Sequence, residues 1–423
     1  ITNSGTASGF GATGSASWST TPKTGDFTAV AGIGYFVNTT SGEVDVALPA
    51  GTAGDVIAVK DYANTWDSDN CILIPNGSEK IGGLNANVTL DTEGLAVTLV
   101  YVDSTRGWLV TDSGLQSEAE GPTFVTATGG TITTVCTNYK VHTFTGPGTF
   151  AVSSSGNASG SNTVSYMVVA GGGSGGADVG GGGGAGGFRE GRTPQCNSWT
   201  ASPIACTSGC NAGLPVSVQS YPIVVGAGGT VPVAPAQEGN DGNNSSFSTI
   251  TSTAGGRGGG GPAPGTAKNG NPGGSGGGGG GWTRPAGCGG PTGPGDVGGK
   301  GSGNTPSFSP AQGFNGGESN PGGTNWTGAG GGGATAVGVD GSQVPGITGG
   351  TKAGGAGAAT SITSSPVTYA AGGSGGNDQT PGPSTTTAPA NSGGGGGGAG
   401  NYPTPNRGNA GGSGIVVIRY KFQ

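Results

Sequence analysis

GGGSGGADVGGGGGAGG, residues 171–187, is the stretch on which the reading of this chain turns. It follows a short apolar run, Tyr166-Met167-Val168-Val169-Ala170. Far downstream the chain returns through Gly411-Gly412-Ser413-Gly414 into Ile415-Val416-Val417-Ile418-Arg419-Tyr420. β-Branched residues suit a pleated, packed surface, so two strands bracket a long glycine-rich insertion. They are expected to pair with each other, which makes the insertion, 171–414, a folded body rather than a loose tail.

Composition sharpens that expectation. The chain holds 102 Gly and 27 Pro among 423 residues, about three in ten, a level at which low-complexity chains become common. Only 9% of its residues are charged, whereas disordered segments combine low hydrophobicity with high charge. The formal net charge is −7 and no Lys/Arg cluster exists, which argues against a nucleic-acid partner. No run of 18 apolar residues is present, so no insertion into a membrane is expected.

Four structures compete for the glycine runs at 180–187, 255–261, 273–281, 328–333, 349–357 and 393–400. A collagen helix needs Gly at every third position without a break, and the long excursions between runs violate that. A dinucleotide-binding loop matches trivially and lacks the alternating strand–helix context. A flexible Gly/Ser linker is the plain reading. The fourth is a bundle of polyglycine-II helices, with three residues per turn and a rise of about 3.1 Å. Such helices make no internal hydrogen bond, so their peptide groups can bond to neighbouring helices, and only Gly admits neighbours on every side. Ordering costs roughly 1–2 kcal/mol per residue, and a net hydrogen bond returns about 0.5–1.5. The bundle therefore needs a frame, which the strands at 166–170 and 415–420 supply.

The expected fold class is all-β: small β-sandwich or jelly-roll modules followed by a polyglycine-II bundle framed by strands. Residues 1–24 read as a Gly/Ser/Thr-rich connector. Residues 25–112 read as a β domain, with strands at 27–30, 34–37, 43–48, 55–60, 71–74, 87–90, 95–102 and 107–110 between turn signals. Trp108 and Tyr101 read as core. Residues 113–122 read as a linker and 123–423 as the glycine-rich domain, with its frame at 123–170 and 415–423. Strands are expected at 131–135, 140–144, 148–152 and 165–169. Gly146-Pro147-Gly148 is expected to turn the middle two into a hairpin. His142 reads as an ordinary strand residue.

Of the six cysteines, Cys196, Cys206 and Cys210 fall in one excursion. A disulfide pinning that loop and free thiols both remain open for them. A zinc site would need a fourth ligand, and the one His is distant, so neither metal nor cofactor is expected. No catalytic constellation is visible: one His makes a triad improbable, and the carboxylates that glycoside cleavage would need are scattered among loops. Binding is better supported, since recognition residues gather on loops carried by a rigid scaffold. The excursions present Trp199, Trp282, Trp326, Tyr369 and Tyr402, whose rings offer rigid contact area, and Arg284, suited to acidic sugars or phosphates. The plainer alternative is that these rings cap glycine helices or fill a seam between subunits.

Several motifs carry a resemblance. They are Thr149-Phe150-Ala151-Val152, the run from Ser165 through Gly173, residues 183–188, Val224-Val225-Gly226-Ala227-Gly228-Gly229, and Gly411 through Tyr420. Together they resemble the glycine-rich domain of phage tail fibres and virion structural proteins, including those of cyanophages, over residues 148–420. That resemblance implies a non-enzymatic, extracellular virion appendage; the long excursions depart from the compact adhesins and point to several blocks with irregular loops rather than one regular lattice. Its implied partners are itself as a homotrimer, other tail or capsid proteins, and a host surface glycan or outer-membrane protein. The alternative in the structural class is a capsid-decorating or filament-forming protein without a receptor.

Overall fold

The computed structural model describes residues 16–115, 122–157, 160–196, 198–208, 212–232, 238–261, 269–281, 297–319, 327–341, 352–377, 387–400 and 407–423. The chain divides into two units, Ile1–Gly121 and Pro122–Gln423. The described residues are all-β, apart from one helical turn at Pro194–Cys196.

In the first unit, β1 (Ser17–Lys23), β3 (Ile33–Val37), β5 (Val56–Asp61), β8 (Leu95–Asp103) and β9 (Gly107–Leu115) form one sheet in that order. The second sheet is β2 (Phe27–Thr28), β4 (Val44–Ala47), β6 (Cys71–Ile74) and β7 (Val88–Leu90). Alternation sets the faces: in β4 and β6 every second residue is buried. Val44, Val46, Cys71 and Leu73 thereby meet Tyr35, Val37, Val59 and Leu99 of the other sheet, around Trp66 and Trp108.

The eight expected strands are present, but their order is not that of a jelly roll. The chain alternates between sheets, so β1–β3–β5 and β2–β4–β6 pair in parallel. Parallel neighbours need a crossover, and here each crossover is a strand of the opposite sheet. Two boundaries also differ. The connector reading fails over Ser17–Lys23, which is the edge strand β1. Its Trp18 ring covers Gly34, where a Cβ would sit 2.7 Å from the indole, and packs on Phe36 at 5.0 Å. β9 runs to Leu115, into the expected linker, as the antiparallel partner of β8.

In the second unit, one sheet is β10 (Val125–Thr128), β13 (Gly148–Ser155), β17 (Ser220–Val224), β18 (Ser245–Phe247) and β19 (Ile250–Ser252). The other is β11 (Thr131–Val135), β12 (Tyr139–Phe144), β22 (Ile415–Lys421), β14 (Thr163–Val169) and β15 (Phe188–Gly191), with β16 (Leu214–Pro215) also on β14. β20 (Ala358–Thr360) and β21 (Val367–Tyr369) make a separate hairpin. The bracketing strands do pair, Tyr166 opposite Ile418 and Val169 opposite Ile415. Their continuous apolar sequence follows from burial on both faces. Tyr166, Val168, Ile418 and Tyr420 pack with Phe150 and Phe247 of the facing sheet. Met167, Val169, Ile415 and Val417 turn the other way, onto Ala185, Ala334 and Ala370 from the glycine runs.

The expected hairpin at 146–148 is not formed: β12 and β13 belong to different sheets. Pro147 fixes a negative φ, whereas a type I′ hairpin turn needs positive φ at both central positions. Those are found one step earlier, at Cys136 (47°) and Thr137 (64°), where β11 pairs with β12.

Between β14 and β22 the glycine runs bond to one another with a three-residue period. Gly181, Gly184 and Gly187 donate their N–H groups to the carbonyls of Gly259, Gly256 and Thr253. Gly182 and Ala185 donate to Ala329 and Gly332, and Gly180, Gly183 and Gly186 to Ala399, Gly396 and Gly393. Successive residues thus address three different neighbours, each stepping by three. The spacing leaves no room for a side chain: a Cβ at Gly182 would lie 2.0 Å from the Gly373 carbonyl oxygen. Where an outer run lacks a neighbour, a side-chain oxygen replaces the missing carbonyl. Asp241 accepts from Arg257 N–H (2.7 Å), Asn269 from Gly299 (2.8 Å), Asn315 from Gly303 (2.8 Å) and Asp340 from Glu318 (2.8 Å).

Candidate functional site

The two ends of the glycine body differ. At one end the runs meet the sheet through Ala185, Ala334 and Ala370. At the other, the turn Ala177-Asp178-Val179 reverses the first run, with φ of 54° at Asp178 and 60° at Val179. A β-branched residue pays steric strain there, and Val179 is held by full burial. Its carbonyl accepts from Gly281 N–H and that of Ala177 from Gly261 N–H, both at 2.9 Å. Gly376 N–H donates to Gly180 O, Gly328 N–H to Gly376 O, and Gly180 N–H to Ala399 O. Gly261, Gly281, Gly328, Gly376 and Ala399 therefore share the end that carries Asp178. Asp178 is itself buried, which pushes its carboxyl above the usual range.

The sequence candidates separate along this axis. Trp282, Arg284, Trp326 and Tyr402 lie outside the described residues. Their neighbours in sequence, Gly281, Thr327 and Gly400, stand at the Asp178 end. Trp199 and Tyr369 are at the sheet end, each 6% exposed, in the cluster with Met167, Phe188 and Val417. They pack rather than display their rings, because the excursions 192–206 and 358–369 fold back onto the sheet. Burial also raises the Tyr369 hydroxyl pKa.

Glu190 organises that folded-back layer. Its carboxylate accepts from Ser202 N–H (2.7 Å) and from the Thr360 hydroxyl, joining β15, the 192–206 excursion and β20. Burial raises its pKa, opposed by these hydrogen bonds and by Arg192. The nearby arginines are occupied as well. Arg189 donates to Thr251 O (3.2 Å) and lies over the Phe308 ring, and Arg192 donates to Trp199 O (2.9 Å). Cys196 and Cys206 are free thiols in this structure, the first buried and the second partly exposed. Cys210 lies outside the described residues. Among the described residues no group of three or more His, Cys, Asp or Glu side chains could hold a metal ion.

Sequence reading missed the side chains that terminate the lattice. Asp241, Asn269, Asn315 and Asp340 look like loop residues, and a single Asn or Asp beside a glycine run was their only signal.

A family model described as a glycine-rich domain matches residues 144–421. The match begins at the end of β12 and closes on β22, so it spans the paired frame and the whole body between. The chain belongs to that glycine-rich domain family. No curated protein matches it.

Proposed function

We propose that this chain is a virion appendage protein, a tail fibre whose glycine-rich unit attaches non-covalently to a host surface receptor. The body is read as a bundle of polyglycine-II helices. The three-residue hydrogen-bond period supports that reading, because a helix with three residues per turn presents each third peptide to the same neighbour. The observation that carries the functional reading is the asymmetry of the body. One end is closed by a sheet. At the other, the runs flanking Trp282, Trp326 and Tyr402 come together through Gly281, Gly328 and Ala399. A scaffold that gathers loop-bearing ends while fixing the opposite end is suited to recognition. The partner would be a surface glycan or an outer-membrane protein, and a homotrimer would multiply weak contacts into avidity.

The test uses the purified full chain, fluorescently labelled, against a panel of cyanobacterial and other aquatic bacterial isolates. Saturable binding to some isolates, competed by unlabelled chain and weakened by Trp282→Ala or Tyr402→Ala, is the expected result. Light scattering of the same sample should give three chains per particle. Binding to no isolate, with antibody against the chain decorating capsids instead of tails, would favour the receptor-free decorating protein.

A further inference from the structure

We infer that Cys136 and Cys196 form a cross-link site, a disulfide that ties the β11–β12 turn to the helical turn after β15. The two residues are far apart in sequence, and the segments that carry them meet at one guanidinium. Arg419 is fully buried on β22, opposite Val141 of β12 and Ser165 of β14. Its Nη2 donates to the Ser198 hydroxyl at 2.8 Å and to the Cys136 sulfur at 3.9 Å. Ser198 and Cys136 therefore sit on the same nitrogen. Cys196 lies two residues before Ser198 and closes the turn Pro194–Cys196, whose preceding residue, Thr193, donates its N–H to Ser165 Oγ at 3.0 Å. This places Cys196 over the Ser165–Arg419 pair, and the Arg419 charge works against the rise that burial imposes on its thiol.

The two thiols differ in access: Cys136 is exposed and Cys196 is buried. That difference orders the chemistry. A small external disulfide, such as oxidised glutathione, is the oxidant. The Cys136 thiolate attacks one of its sulfurs, making a mixed disulfide and releasing one thiolate. Cys196 loses its proton and attacks the Cys136 sulfur, which releases the second thiolate and leaves the protein disulfide. Two protein thiols are oxidised and one external disulfide is reduced to two thiols. The Arg419 guanidinium beside the Cys136 sulfur stabilises the negative charge that the attacking sulfur carries. An extracellular setting provides such oxidants, but the site stands whether or not the chain binds a host receptor.

The experiment is non-reducing peptide mapping by mass spectrometry on the full chain, incubated in oxidised or in reduced glutathione. Oxidation should produce one linked peptide pair holding Cys136 and Cys196, two hydrogens lighter than the separate peptides. The unfolding midpoint of this unit should rise by about 5 °C relative to the reduced protein. Cys136→Ser, a change on the exposed turn, should abolish both the linked pair and the rise. A link from Cys196 to Cys206 or Cys210 would overturn the inference, as would alkylation of both thiols after oxidation. Cys196→Ser should abolish both as well; if that variant fails to fold, the Cys136→Ser result decides alone.

Discussion

In residues 16–115 the groups removed from water are side chains: Trp66, Trp108, Leu73, Val46 and their neighbours between two sheets. In the glycine body they are peptide groups, each third one directed at the same adjoining run. The first arrangement gains free energy from apolar area and tolerates modest reshaping, because neighbouring side chains can shift rotamers. The second gains from satisfied hydrogen bonds and close backbone contact, while glycine loses more freedom on ordering than any other residue. Its atoms are main chain, so a local intrusion cannot be relieved by a rotamer change. The two parts should therefore fail for opposite reasons: the first when volume is removed, the second when volume is added.

The largest effect is expected where one methyl enters the body. Gly182→Ala places a Cβ 2.0 Å from the Gly373 carbonyl oxygen and 2.5 Å from its carbon. Gly182 also donates to Ala329 O and accepts from Gly278 N–H, so it cannot withdraw without breaking bonds in two directions. A loss above about 4 kcal/mol is expected, in the range reserved for severe core damage. Hydrogen exchange should show lost protection across 171–414 while residues 16–115 keep theirs. Wild-type-like protection in the body would mean that its packed backbone can yield to a methyl group after all.

The converse change is Leu73→Ala in the first unit. Leu73 is 1% exposed in the shared core, and deletion of its methyl groups should cost about 3 kcal/mol. Denaturant unfolding should show this in the transition of residues 16–115. A loss below about 1 kcal/mol would mean that the core is looser than its burial implies.

These contrasts bear on what was legible in the sequence. The frame was legible because burial on both faces leaves unbroken apolar runs, as in 166–170 and 415–418. The faces of β4 and β6 were legible from their alternation. Their parallel partners were not, because alternation marks which side is buried and carries no direction. The hairpin was misplaced because Gly146 and Gly148 look like turn formers, while the positive φ values belong to Cys136 and Thr137. At the candidate site, composition drew attention to aromatic residues. It carries no sign that the excursions holding Trp199 and Tyr369 fold back and bury those rings.

A smaller effect tests how the body ends. Asn315 Oδ1 stands where a neighbouring run would supply a carbonyl and accepts from Gly303 N–H at 2.8 Å. Asn315→Ala should cost about 1 kcal/mol, since the freed N–H lies at an exposed edge where water can replace the bond. Asn315→Asp keeps the acceptor and should retain most of the stability. Equal losses for both variants would show that the side chain matters through packing instead.

The most gradual effect is a pH dependence in the frame, where side-chain and backbone burial meet. His142 is fully buried, with Nδ1 2.7 Å from Gly129 O and Nε2 3.0 Å from the Tyr420 hydroxyl. A carbonyl only accepts, so Nδ1 carries the proton and Nε2 accepts from Tyr420. Burial lowers the His142 pKa below 6.5, reinforced by Lys140 and opposed by the Gly129 hydrogen bond. Burial also pushes the Tyr420 hydroxyl up to about 12, so it remains a donor at every relevant pH. Protonating Nε2 would set two donors against each other. Below pH 6.5 the unfolded chain takes up the proton before the folded one does, so stability falls as pH drops from there towards the folded pKa. The slope is at most about 1.4 kcal/mol per pH unit. Glu190, whose pKa burial raises, acts in the opposite sense as pH rises, so the comparison needed is wild type against His142→Asn. The difference between their unfolding free energies should change between pH 7 and pH 5. A difference independent of pH over that range would mean that His142 titrates alike in both states, and that this part of the frame admits water.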